Sequence, residues 1–424
     1  MVSEQLFKFS AIVEKLKGGP LEKFAEGFCC WLLDHGFKRH TISSHFYRLI
    51  RFSKYLDSNN TDIHNGISIK EVKTFFKCHS HHCRKTGSSD TDIRRAGYSI
   101  NRFIQYLRES GHPDLLQEQD IYKPVLDAYL NWMRHYKHAS NGTLGVRIHS
   151  LKQFLQWLGP EATPAGLAKL TADRVEGFFL SYAKEIGRAA RRSMQSALRT
   201  FLRFCLQKGY IDRPLDMAVP TLRTYKLAEV PAGLNETEAQ QILKGVNRNS
   251  RVGRRDYAIL QMLYTYGVRG GQVRALQLGD IDWGHNLILF KAMKHGKDIQ
   301  LPLTVEVGEG MLDYLQNSRP ESSFPHVFLT SRAPYHPLPY SSSLSAIIDR
   351  HIRAAGADCS RKGAHVFRHG FATRMLKKGH SLKEIADILG HRHLGTTFIY
   401  TKVDLNALEQ VALDWPKEVP PCDH

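Results

Sequence analysis

The chain has 424 residues, room for two or three domains of about 100–200 residues each. With 42% hydrophobic and 24% charged residues it is neither disordered nor fibrous. A formal net charge of +18, spread along the chain, favours a polyanionic partner without choosing among DNA, RNA and an anionic membrane. No apolar run approaches the roughly 20 residues of a membrane helix, and the first residues lack a signal-peptide core. Seven cysteines at irregular spacing argue against a disulfide framework. A cytoplasmic protein with no membrane association is expected.

From the start to about Asp280 the apolar spacing is helical, beginning with Phe24, Phe28, Trp31 and Leu32 on one face. One order of aromatic motifs then occurs twice. Phe28, Trp31 and Leu32 answer to Tyr129, Trp132 and Met133; Phe52, Tyr55 and Leu56 to Phe154, Trp157 and Leu158. Val72, Phe75 and Phe76 answer to Val175, Phe178 and Phe179, and Phe103 and Tyr106 to Phe201 and Phe204. The offset is about one hundred residues each time, which reads as two copies of a small four-helix bundle. Between the matched segments, Cys78-His79-Ser80-His81-His82-Cys83 is metal-prone, but a structural zinc site pairs two such groups and no clear second pair is present. A polar His-rich loop or helix end is expected there, with metal as the alternative.

Pro214, Pro220 and Pro231 interrupt the periodicity after the second bundle, as an interdomain linker does. Asn235 and Glu238 then form a capping-box pair ahead of Ile242 and Leu243, so a third domain opens with a helix. A second helix, from Asp256, stops at Tyr266-Gly267. Leu287–Phe290 and Ile299–Leu301 are β-prone runs around Lys294-His-Gly296-Lys297, the pattern of a hairpin. Helices resume after Tyr340. The fold class expected is mainly α: helical bundles at 1–117 and 118–213, a linker at 214–233, and an α+β domain with a small antiparallel sheet at 234–424.

Four pieces of the third domain stand in order: Tyr266-Gly267-Val268-Arg269; Lys294 in the hairpin; His365-Val-Phe-Arg368-His369; and Leu389-Gly390-His391 followed by Thr396-Thr397-Phe-Ile-Tyr400. This series resembles the tyrosine recombinases, in the Xer, Cre and phage-integrase branches, from Leu234 to about Asp404. The resemblance implies a catalytic domain preceded by a SAM-like core-binding domain at 118–213, with an additional N-terminal helical domain. It also implies the chemistry. Attack on a phosphodiester crowds negative charge onto phosphorus, and Arg269 and Arg368 supply the forked donors such a centre needs. His365, three residues from Arg368 on a helix, points with it toward one phosphate as proton acceptor or orienter. Tyr400 is the nucleophile and holds the DNA as a 3′-phosphotyrosine without ATP. Lys294 is the general acid for the departing 5′ oxygen, and His391 hydrogen-bonds the phosphoryl group. No metal or cofactor is implied. One departure stands out: Gln272, after Gly270-Gly271, occupies the place where relatives commonly put a Glu that orients the first arginine.

Arg188, Arg191, Arg192 and Arg199 interleave the apolar face of the second bundle's last helix and are expected to meet DNA phosphates. Arg48, Arg51, Arg94, Arg95 and Arg102 sit comparably in the first bundle, for DNA or for subunit contacts. Asp404 caps a tail helix bearing Leu405, Leu408, Val411, Ala412 and Trp415, which in similar enzymes docks into a neighbouring subunit. The expected partners are therefore double-stranded DNA, further copies in a homotetramer exchanging strands through a Holliday junction, and other recombinases of the same mobile element. Two rival readings use related residues: type IB topoisomerase-like relaxation and a non-catalytic DNA-binding regulator. The duplicated bundles and tail favour the recombinase over the first, and retention of all six side chains favours it over the second.

Overall fold

The computed structural model describes residues 16–59, 71–72, 74–76, 78–79, 90–111, 121–222, 233–292, 298–339, 341–357, 363–391 and 394–403. Residues 48–222 belong to one compact unit, and residues 21–47 and 233–403 to another.

Helices α1 (Glu22–Asp34), α2 (Arg39–Ser58) and α3 (Asp90–Glu109) come first. The apolar face read from the sequence is the buried face of α1, with Phe24, Phe28, Trp31 and Leu32 all inside. In the Cys78–Cys83 run, His79 stacks on Phe75 with ring centroids 5.4 Å apart. Residues 80–83 lie outside the described residues.

The following bundle is built from α4 (Lys123–Lys137), α5 (Asn141–Leu158), α6 (Ala172–Glu185) and α7 (Arg188–Gln207). Ser140 and Thr171 cap α5 and α6 by accepting the backbone N–H groups of Thr143 and Arg174. An aromatic core closes the bundle: Tyr129 lies edge-on to Phe201 and Phe204, and Phe154 edge-on to Phe178. Most of the paired residues are buried in both sets, but Trp157 is exposed and Phe76 is half-buried where its counterpart Phe179 is inside. Phe28, Trp31, Phe52, Leu56, Phe75, Phe103 and Tyr106 are inside, as are Tyr129, Trp132, Phe154, Leu158, Phe178, Phe201 and Phe204.

From residue 233 a separate hydrophobic core runs from Leu234 to Phe367. Asn235 caps α8 (Glu236–Lys244) with a full capping box: its Oδ1 accepts the Glu238 N–H at 2.8 Å, and Glu238 accepts the Asn235 N–H at 2.9 Å. The next helix, α9 (Arg251–Tyr266), is buried nearly all round and packs on α11 (Val305–Asn317) and α13 (His365–Lys377). It ends at Gly267, which adopts φ 59°. A Cβ there would lie 2.7 Å from the Phe371 ring, so both conformation and space require glycine.

Short α10 (Gly270–Ala275) leads into an antiparallel sheet, order β1-β2-β3, of Ile281–Asp282, Leu287–Phe290 and Ile299–Pro302. The expected hairpin is β2–β3. The structure adds β1, a strand of two residues and too short to carry a periodic signal. Helices α12 (Ser341–Ala354), α13 and α14 (Leu382–Leu389) follow, and two 3₁₀ turns cover Leu394–Val403. The chain at Gly233–Leu234 runs along α13, where Leu234 donates to the Val366 carbonyl. A Cβ on Gly370 would sit 2.4 Å from the Leu234 oxygen, so this approach also depends on glycine. Among the described residues no helix is long and apolar enough to cross a membrane.

Candidate active site

Helix α14 ends at Gly390, whose φ of 62° turns the chain away: the Gly390 and His391 N–H groups cap the Asp387 and Ala386 carbonyls, and the Leu389 and Gly390 carbonyls are left for partners outside the helix. Those carbonyls are the negative end of the helix dipole, and cations are stable there. Two arginines converge on them. Arg269, released at the N-terminus of α10 by the Gly267 stop, donates to Leu389 O at 3.4 Å and to Gly390 O at 3.1 Å. Arg368, buried on α13, donates to the same Leu389 O at 2.7 Å and to Gly267 O at 3.0 Å. Each guanidinium has five N–H donors, so both keep hydrogens for an anion.

The electrostatics record this crowding. Burial, and then the charge of Arg269, pull the Arg368 guanidinium down to about 10. Burial also lowers Arg269, partly countered by Tyr400. His391 falls to about 4, through burial first and then Arg368, Arg269 and His369, so its ring is neutral at physiological pH. Two like charges with a neutral imidazole make a site that an oxyanion relieves.

Tyr400 packs with Phe371, Ala372, Ile385 and Leu389. Burial raises its phenol above the ordinary value, and the two arginines pull the other way. Its ring centroid lies 5.6 Å from that of His369. His369 is the second histidine of His-x-x-Arg-His; the motif assigns it no role, and the repeated histidine is its one signal in the sequence. His365 and Arg368 differ in setting: Arg368 is buried, whereas His365 is exposed at the start of α13, its ring 6.3 Å from His369. Lys294 lies outside the described residues. The hairpin's base is held by Ala292 N–H donating to Asp298 at 2.7 Å and by the Lys291–Asp280 ion pair at 2.7 Å.

The Gln272 side chain makes no hydrogen bond with the Arg269 guanidinium. Its buried side chain accepts the Arg269 backbone N–H at 3.1 Å and donates to the Lys291 carbonyl at 3.4 Å, joining the arginine's backbone to the base of the hairpin. The guanidinium is oriented instead by the α14 carbonyls. An amide both donates and accepts, whereas an ionised carboxylate would face the Lys291 oxygen with another acceptor. Gln272→Glu is therefore expected to cost about 1–3 kcal/mol of stability, the penalty of an unsatisfied buried polar group. A denaturant midpoint unchanged from wild type would refute this.

In the preceding bundle Arg188 and Arg192 are exposed. Arg191 donates to Ile186 O at 2.7 Å, and Arg199 to Val219 O and Thr221, both at 2.7 Å. The first pair faces solvent, while the second is engaged with its own chain.

A helical domain with a three-stranded sheet, carrying two converged arginines, a neutral histidine and a buried tyrosine, defines a candidate site for nucleophilic transfer at an oxyanion. Residues 233–406 match the model of the phage integrase family. A putative integrase/recombinase of Sinorhizobium fredii, y4rA, is 38% identical over 94% of this chain and 96% of its own length. The tyrosine recombinase XerC of Oceanobacillus iheyensis is 27% identical over 67% of this chain and 93% of its own. Among solved structures, the XerH site-specific recombinase bound to a palindromic difH substrate shares the fold at TM-score 0.52 and 19% identity, over 71% of this chain and 98% of that one. The chain belongs to the phage integrase family: it is a tyrosine recombinase, of the enzymes that cleave and rejoin DNA.

Proposed function

We propose that the protein is the site-specific recombinase of a mobile element, an integrase or transposase, with Tyr400 as nucleophile. The observation that carries this is the convergence of Arg269 and Arg368 on the Leu389–Gly390 carbonyls beside His391 and Tyr400. The Tyr400 oxygen attacks a DNA phosphorus, forming a 3′-phosphotyrosine as the bond to the 5′ oxygen breaks. Lys294 gives that oxygen its proton, and a proton acceptor among His365 and its neighbours takes the phenol's. Arg269, Arg368 and neutral His391 hold the charge that builds on the non-bridging oxygens. The ester conserves the bond energy, so the 5′ hydroxyl of another strand can reverse the step without ATP or metal.

Residues 118–213 serve as the core-binding clamp, with Arg188 and Arg192 as its phosphate contacts, and 1–117 as a second helical bundle. Burial of most of the matched aromatic residues in both sets supports that division. Copies assemble as a tetramer on double-stranded DNA and exchange strands through a Holliday junction, with other recombinases of the same element as further partners. A cleft of about 810 Å³, with Lys244, Arg248, Arg374 and Lys378 outnumbering Glu236 and Glu306 around Leu243 and Phe371, supports docking of a neighbour's tail. In the tail sequence Asp404, Glu409 and Asp414 interleave Leu405, Leu408, Val411 and Trp415.

A nicked suicide duplex made from DNA flanking the gene tests the nucleophile. Wild type is expected to accumulate a covalent adduct, and Tyr400→Phe none, with DNA retention unchanged in a mobility shift. An adduct that persists in the variant sinks the assignment.

A further inference from the structure

Thr397 is fully buried between His391 and Tyr400 and bonds to both. Its Oγ1 lies 2.8 Å from His391 Nδ1, and its carbonyl accepts the Tyr400 backbone N–H at 3.0 Å. We infer that Thr397 is a positioning residue: its hydroxyl donates to His391 Nδ1, fixes the hydrogen of the neutral ring on Nε2, and leaves Nε2–H to donate to the scissile phosphate. The inference rests on the active-site reading above.

Three observations carry it. First, a buried hydroxyl must place its proton on an acceptor, and His391 Nδ1 is the partner of Thr397 Oγ1 among the described residues. Second, burial first, and then the neighbouring Arg368 and Arg269 with His369 also near, keep the ring neutral. A neutral imidazole donates from one nitrogen only, so whatever occupies the other decides whether it can serve an anion. Third, Thr397 is three residues from Tyr400, so the hydroxyl that sets the histidine and the carbonyl that holds the nucleophile's backbone belong to one residue. A shift of the turn that carries Tyr400 also shifts the His391 ring.

The closing experiment pairs Thr397→Val, isosteric but without the hydroxyl, with Thr397→Ser, which restores it. On the suicide duplex the Val variant is expected to form adduct about 10- to 100-fold more slowly, by analogy with metal-ligating histidines that lose the outer-shell partner fixing their tautomer. DNA affinity should stay unchanged and Ser should recover most of the rate. A merely structural threonine predicts no tautomer change, so nitrogen NMR of the isotope-labelled full chain supplies the second readout, with His391 assigned by its absence in His391→Gln. Wild type and Ser are expected to carry hydrogen on Nε2, and Val to lose that preference. Hydrogen on Nδ1 in wild type, or a Val variant as fast as wild type, overturns the inference. If wild type forms no adduct at Tyr400, the active-site reading falls, while the tautomer result still decides what Thr397 does to His391.

Discussion

Arg368→Lys is expected to slow adduct formation on the suicide duplex by about 10²–10³-fold or more, the range for losing one preorganised transition-state donor. The charge is kept, so the loss tests geometry. Arg368 reaches Gly267 O on one side and Leu389 O on the other, and this fixes the plane of its fork. A lysine offers one nitrogen on a flexible stem and cannot bridge both carbonyls while meeting a phosphate. Arg269 still donates to Leu389 O, so the carbonyl that can be left buried and unpaired is that of Gly267, at a stability cost of about 1–3 kcal/mol. DNA affinity should fall little, because one phosphate contact among many changes the salt dependence by only about one unit of slope. A variant that cleaves at the wild-type rate, or one whose loss is entirely in binding, would show that Arg368 anchors the fold and not the reacting phosphate.

The parts of this site that rest on local rules were legible in the sequence. The Asn235–Glu238 capping box, the helix stop at Gly267 and the β2–β3 pairing depend on neighbours a few residues away, and each has a chemical signature. What escaped depends on groups far apart in the chain. Nothing at position 272 indicates that its amide reaches the Lys291 carbonyl, and nothing at 397 that its hydroxyl meets His391. Helical spacing of three placed His365 and Arg368 near each other, yet they differ by about 60° around an α-helix. That is enough to bury one and expose the other at the edge of a site. The arginines of α7 teach the same lesson, since a basic helix face does not reveal that Arg199 is already bound to Val219 and Thr221.

Asp256→Ala is expected to destabilise the catalytic unit by about 3–5 kcal/mol, the cost of breaking a buried ion network by removing one partner. Asp256 is wholly buried. One oxygen accepts Arg255 Nη2 at 2.8 Å and Nε at 3.1 Å, and the other accepts Arg350 and, at 3.0 Å, His351 Nε2. Arg255 also donates to Leu329 O at 3.1 Å, so one carboxylate ties α9 to α12 and, through Arg255, to the segment beyond α11. Burial alone would raise this carboxyl; the His351 hydrogen bond and the Arg255 and Arg350 charges outweigh it and hold it below its ordinary 3.8. A carboxyl depressed in the folded state contributes stability that is present above its unfolded value and lost as pH falls through the folded one. The gap between wild type and variant should thus be full near pH 7 and narrow only below 3.8. Because α9 delivers Gly267 and Arg269 to the site from its far end, the variant should cleave normally while folded and fail on mild heating. Equal denaturant midpoints at neutral pH, or a cleavage defect well below the melting temperature, would assign Asp256 to something other than anchoring α9.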